Sequence, residues 1–148
     1  MIGERRLRRP SPLLALEHWT FGVCAAFVDP IIAPTGLDTC GINFSGLTTS
    51  GKSTAQRLAA SAWSASDIRR AGLFQSARAT DNAVEALAQR ASGTVLSLDE
   101  LAHLSGKTAA TVIYMISGSV GKRRMTADAV VRDSYTWATF AILSASAV

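Results

Sequence analysis

GLTTSGKST, residues 46–54, is the stretch whose reading decides the fold. Gly46, Gly51, Lys52 and Ser53 satisfy G-x-x-x-x-G-K-[ST] at every fixed position. Glycines at these places let the backbone curl until consecutive N–H groups point inward at phosphate oxygens. A lysine at the third fixed position reaches the outer phosphates, and a Ser or Thr hydroxyl after it ligates Mg²⁺. The competing reading is a solvated loop rich in Gly, Ser and Thr. A chance match in a chain of 148 residues is on the order of one in a few hundred, which favours the phosphate cradle.

The flanks agree. "CGINFSG" (40–46) reads as a short buried strand running into the turn. From Ser53, an apolar stripe of Ala55, Leu58, Ala59, Ala62 and Trp63 predicts an amphipathic helix, whose positive N-terminal end adds to the anion site. The cradle then comprises Gly46, Leu47, Thr48, Thr49, Ser50, Gly51, Lys52, Ser53 and Thr54. It is made to hold a nucleoside triphosphate such as ATP together with Mg²⁺.

Working outward, "GLFQSA" (72–77) is a weakly signalled strand. "TDNAVEALAQRAS" (80–92) is a helix with Val84, Leu87, Ala88 and Ala91 on one face, and Asn82 and Glu85 stand at capping-box spacing. "GTVLSLDEL" (93–101) is a buried strand, and "TAATVIYMIS" (108–117) a helix closed by Gly118 and Gly121. Residues 121–134 read as a polar connector, and "YTWATFAILSA" (135–145) as a central strand. Upstream, a helix over 12–28 is ended by Asp29-Pro30, and "APTGLD" is loop. Residues 1–11 form a basic tail, and 12–148 one domain. Strands alternating with helices predict an α/β fold with a mainly parallel sheet.

A second site element closes the 93–101 strand. In P-loop proteins a strand-terminal acid, here Asp99, holds the metal, and a neighbouring carboxylate, here Glu100, takes a proton from the attacking water. The pair favours water over an acceptor hydroxyl, hence hydrolysis. "DELAH" is not a DEAH box, because Leu101 intrudes and displaces His103. His103 and His18 read as surface or cap residues.

Composition sets the bounds. The chain is 48% hydrophobic and 18% charged, with a mean hydropathy of +0.21, which fits a globular domain rather poor in charge. Its net charge of +4 is concentrated in "ERRLRRP" near the start and in Lys122, Arg123 and Arg124. Such clusters either meet phosphates or form a solvated surface. Cys24 and Cys40 make no metal pattern and read as buried small hydrophobes in a reducing cytosol. Glu17, His18 and Asp29 interrupt the apolar run near the start, so neither an export signal nor a membrane anchor is expected.

Four segments in order, "GINFSGLTTSGKSTAQRLAASAWS", "RATDNAVEALAQRASGTVLSLDEL", "TVIYMISGSVGKRRM" and "TWATFAILSA", resemble the bacterial and phage domain-of-unknown-function family 927, primase/helicase-like P-loop ATPases. The resemblance covers about residues 19–145. It implies a three-layer α/β/α core of AAA+/RecA-like type, with the strand of the last segment lying between the cradle strand and the acidic strand. Ser144 at its end would then be a sensor of the outer phosphate. Lys122, Arg123 and Arg124 would face nucleic acid, single- or double-stranded DNA, and the full-length form would assemble as a homo-oligomeric ring. Arg78 and Asn82 would contact nucleotide or a neighbour, although helix capping explains Asn82 equally well. The family usually continues past the sensor strand, so a sheet incomplete beside the cradle strand is expected, with any arginine finger lying downstream.

Three functional readings follow: a helicase-like motor that hydrolyses ATP, a nucleotide-binding fragment without effective turnover, and a small-molecule P-loop kinase.

Overall fold

A computed structural model describes residues 12–46, 50–64, 72–125 and 131–146. The elements are α1 (Pro12–Ala26), α2 (Asp29–Thr35), β1 (Cys40–Gly46), α3 (Lys52–Ser61), β2 (Phe74–Ser76), α4 (Asp81–Arg90), β3 (Val95–Asp99), a 3₁₀ turn (Leu101–His103), α5 (Gly106–Ser117), β4 (Arg124–Met125), β5 (Val131–Arg132) and β6 (Phe140–Ser146). The 1–11 tail lies outside the described residues.

β1, β6, β3 and β2 stand side by side in that order, all parallel. The last strand in sequence is thus inserted between the cradle strand and the acidic strand, as the resemblance implied. β6 can occupy that place because it is apolar on both faces. Its Phe140 and Ile142 join a core with Phe44, Ala55, Ala59 and Val95, while Ala141 and Leu143 join the opposite core with Leu96, Leu98, Val84, Ala88, Val112 and Ile116. The period of two along β6 therefore glues two helical layers to one sheet. The architecture is a three-layer α/β/α core.

Register decides what the C-terminal edge of the sheet carries. Gly46 lies opposite Ser146, Ser144 opposite Phe44, Leu98 opposite Leu143, and Asp99 opposite Ser76. Gln56 of α3, fully buried, donates through Nε2 to the carbonyls of Leu98 and Ile142, both at 3.0 Å. This one amide ties the cradle helix to the two strands next to it.

Several local expectations are corrected. The first helix stops at Ala26 and a separate α2 starts at Asp29, running through Thr35 into the segment expected to be loop. Proline is tolerated in a first helical turn because the N–H it lacks has no intrahelical acceptor there, so Asp-Pro opens a helix here. The buried face of α3 is Ala55, Gln56, Ala59 and Ala60, rotated from the expected stripe. Leu58 and Trp63 stay 39% and 38% exposed, and Ala62 lies past the helix end. The cap of α4 is Thr80, whose hydroxyl accepts from the Ala83 amide. Glu85, no capping residue, is buried and accepts from the Lys122 amide at 3.1 Å. The polar connector contains an antiparallel β4–β5 pair, and strand geometry in the last segment begins only at Phe140. Before it, buried Trp137 donates its indole N–H to the Ile116 carbonyl at 2.8 Å.

Both cysteines are exposed and not buried. Cys24 projects from α1, and Cys40 stands on β1, which among the described residues has a partner strand on one side alone. Beside β1 runs a groove of about 240 Å³ floored by Ile113, Ile116, Ala141 and Leu143. Among the described residues no helix is long and apolar enough to cross a membrane.

Candidate nucleotide site

The site begins where β1 turns into α3. Gly46 has φ +146° and Gly51 φ +88°, backbone that side-chain-bearing residues rarely adopt. Gly51 occupies the N-cap of α3 with no side-chain cap, so the first amides of the helix are left for another acceptor. Lys52 folds across the loop and donates from Nζ to the Gly46 carbonyl at 2.9 Å and to Ser50 Oγ at 3.3 Å. Ser53 follows in the first helical turn, half-buried, and Thr54 is exposed. Leu47, Thr48 and Thr49 lie outside the described residues.

One strand away, buried Ser144 at the end of β6 donates its hydroxyl to Asp99 Oδ1. The same Oδ1 accepts from the Glu100 amide at 2.9 Å. That second bond reflects the left-handed backbone of Glu100, φ +66°, by which the chain leaves β3 in a tight turn. The Glu100 side chain is thereby turned toward β2, where Ser76 Oγ donates to Oε2 at 3.2 Å. The Arg78 amide donates to Ser76 Oγ in turn at 3.2 Å, and the Ala77 amide to the Asp99 carbonyl at 2.8 Å.

Parallel order therefore lines Lys52, Ser144, Asp99, Glu100 and Ser76 along the C-terminal edge of one sheet. Open α/β sheets bind ligands at this edge. The set suits a triphosphate with Mg²⁺: curled backbone and a lysine for anionic oxygens, then a hydroxyl and a carboxylate for a hard cation.

The basic loop behaves less uniformly. Lys122 Nζ is paired with Asp81 Oδ2 at 2.6 Å, both side chains being well exposed, and Arg123 is exposed. Nothing is described of the Arg124 side chain. His103 is exposed in the 3₁₀ turn. His18, expected at the surface or in a cap, is half-buried instead and meets Phe44 edge-on, with Nδ1 buried and without a hydrogen-bond partner among the described residues.

Sequence reasoning missed Ser76 and Gln56. Ser76 ends a three-residue strand with almost no periodic signal, and Gln56 is a single polar residue within a helical face. Only the strand order shows what either touches.

Fold and site together define the class, an α/β P-loop core of the helicase type. The chain belongs to the family described as Domain of unknown function (DUF927), which it matches over residues 15–136. It is similar to the solved structure of the "SCCmec type IV Cch - active helicase", with a TM-score of 0.60 and 26% identity, over 94% of this chain and 25% of that one. The chain thus spans about a quarter of that helicase's length. No curated protein matches it.

Proposed function

We propose that this chain is the nucleotide-binding core of a helicase-like motor that binds ATP and hydrolyses it with Mg²⁺. The observation that carries the reading is the alignment of Lys52, the Ser144–Asp99 pair and Glu100 along one sheet edge. Lys52 and the amides of residues 46–54 take the phosphates, and Ser53 and Asp99 hold the metal. When bound, Mg²⁺ neutralises charge on the phosphate oxygens. Ser144 fixes the orientation of the Asp99 carboxylate. Glu100 accepts the proton of the attacking water, which requires its carboxylate to leave Ser76.

The similar solved protein is described as an active helicase, which supports work on nucleic acid. Arg123 and Arg124 supply phosphate contacts in this reading, and Lys122 joins them by exchanging Asp81 for a backbone phosphate. A ring of several copies, acting in a mobile element or phage, belongs to the same proposal. A second reading, nucleotide binding without effective turnover, is favoured by one contact: the hydrogen bond that ties Glu100 Oε2 to Ser76.

Mg²⁺-ATP binding and phosphate release, with and without single-stranded DNA, test these readings for the wild type, Lys52→Ala and Glu100→Gln. ATP binding lost in Lys52→Ala, with DNA-stimulated release lost in Glu100→Gln, is the expected result. Binding without release under any condition supports the second reading. Absence of binding in the wild type overturns both.

A further inference from the structure

α1 takes no part in the chemistry above, and its sequence, PLLALEHWTFGVCAA, has Glu17 as its single carboxylate and neither Lys nor Arg. A surface helix ordinarily keeps one polar face, and a helix that is apolar all round is covered on every side. One side of α1 is accounted for. Gly22, Ala25 and Ala26 are buried, and a Cβ on Gly22 would lie 2.9 Å from the Ala55 carbonyl oxygen, so the backbones of α1 and α3 touch.

The opposite side is bare. By helical periodicity Leu16, Thr20 and Val23 stand away from α3, and Phe27 continues their line in the turn after Ala26. Leu16, Val23 and Phe27 are 57%, 36% and 52% exposed, and Thr20 is exposed as well. Their spacing of four, three and four residues is that of the a and d positions of a helix–helix seam. The Phe27 ring meets Trp63 at 5.6 Å, which carries the apolar strip onto the chain just past α3.

The strip is complementary to itself. A twofold axis midway between Thr20 and Val23 sets Leu16 against Phe27 of a second copy, and Thr20 against Val23, so the large side chains meet at the two ends and the small ones at the centre. The two helices then run antiparallel, which opposes their dipoles and keeps the two Glu17 carboxylates apart. A parallel pair would place them side by side. Two four-turn helices packed in this way, with exposed aromatic rings contributing roughly 100 Å² each, bury on the order of 1,000 Å², the size at which specific interfaces begin.

We infer that the outer face of α1 is covered by α1 of a second copy of this chain, in a twofold antiparallel pair along Leu16, Thr20, Val23 and Phe27. Such a contact is isologous and closes on itself, so it is separate from the head-to-tail contact that a ring requires. No nucleotide enters into it.

Sedimentation over a dilution series tests the pair, for the wild type, Leu16→Lys, Val23→Lys and the control Tyr114→Lys on the exposed face of α5. The wild type and Tyr114→Lys are expected to form dimers with a dissociation constant of roughly micromolar order. Each seam lysine should weaken the dimer by about 100-fold or more, while the dilute monomer melts at the wild-type temperature, because both positions are exposed within one chain. A second reading needs no variant: alkylation of Cys24, which flanks the seam, should slow as wild-type concentration rises, while that of Cys40 on β1 should not. A wild type that stays monomeric throughout overturns the inference. So does a dimer that withstands both seam lysines, one that Tyr114→Lys also dissociates, or one that leaves Cys24 as reactive as in the monomer.

Discussion

Ser144 Oγ donates to Asp99 Oδ1, joining the ends of two strands separated by 45 positions in sequence. One carboxylate oxygen is thereby fixed by the Ser144 hydroxyl and by the Glu100 amide. Orientation of the Asp99 carboxylate is thus a property of β6 as much as of β3.

Removing that hydroxyl should slow turnover more than it weakens binding. A hydrogen bond to a charged group contributes roughly 1.5–3 kcal/mol, equivalent to about 10- to 100-fold. Ser144→Ala is expected to retain ATP affinity, lose about that factor in phosphate release and need more Mg²⁺ for half-maximal rate. Parallel Mg²⁺ titrations of both proteins check this, and an unchanged rate would show that Asp99 needs no such support.

Ser76 should act in the opposite sense. Its bond to Glu100 Oε2 holds the proposed base toward β2. Ser76→Ala is expected to raise phosphate release without nucleic acid by about 3- to 10-fold, less than for Ser144 because this bond to a carboxylate is exposed to solvent, and Ser76→Thr to restore the low rate. A fall in rate for Ser76→Ala would mean that the serine aligns the base.

Gln56 couples α3 to both β3 and β6. Gln56→Leu leaves the Leu98 and Ile142 carbonyls without their shared donor. An unsatisfied buried group costs about 1–3 kcal/mol, so the melting temperature should fall by roughly 4–10 °C. Differential scanning calorimetry on the variant measures it, and a shift under a degree would contradict the coupling.

Asp29 predicts a pH effect of defined sign. It is fully buried at the start of α2, and burial raises its carboxyl from 3.8 to about 7, against the Thr139 side chain and Phe140 backbone, which pull the other way. The Thr139 hydroxyl is committed to the Ala91 and Thr94 carbonyls, and neither Asp29 oxygen has a partner at hydrogen-bond geometry among the described residues. Between pH 4 and 7 the folded chain keeps a proton that the unfolded chain has released, so stability falls as pH rises through this window. Asp29→Asn should flatten that slope and be the more stable protein above pH 7, by at most about 4 kcal/mol. Urea unfolding at pH 5 and pH 8 distinguishes the two proteins, and parallel slopes would refute the assignment.

The residues that announce themselves in sequence do so through local rules. Gly46, Gly51, Lys52 and Ser53 are constrained by what a curled loop and a helix start require within nine positions, and Asp99-Glu100 by the end of an apolar strand. These were legible without coordinates, as were the α/β alternation and the apolar character of β6. Local rules also misled where a neighbour overrode them. The buried face of α3 takes in Gln56, whose amide donates to two strand carbonyls, and Glu85 leaves its capping position for a bond with the Lys122 amide.

What the sequence determined by itself is the residues on offer: a Gly-, Ser- and Thr-rich turn with a lysine at its end, an acidic pair, and strands and helices in a recognisable order. What only the tertiary structure decided is who meets whom. Inserting β6 between β1 and β3 brings Ser144 to Asp99, pairing β2 with β3 brings Ser76 to Glu100, and laying α1 along α3 brings Trp19 to Gly51. Strand order is a global outcome of burying both faces of the most apolar strand, and no window of sequence short enough to read contains it.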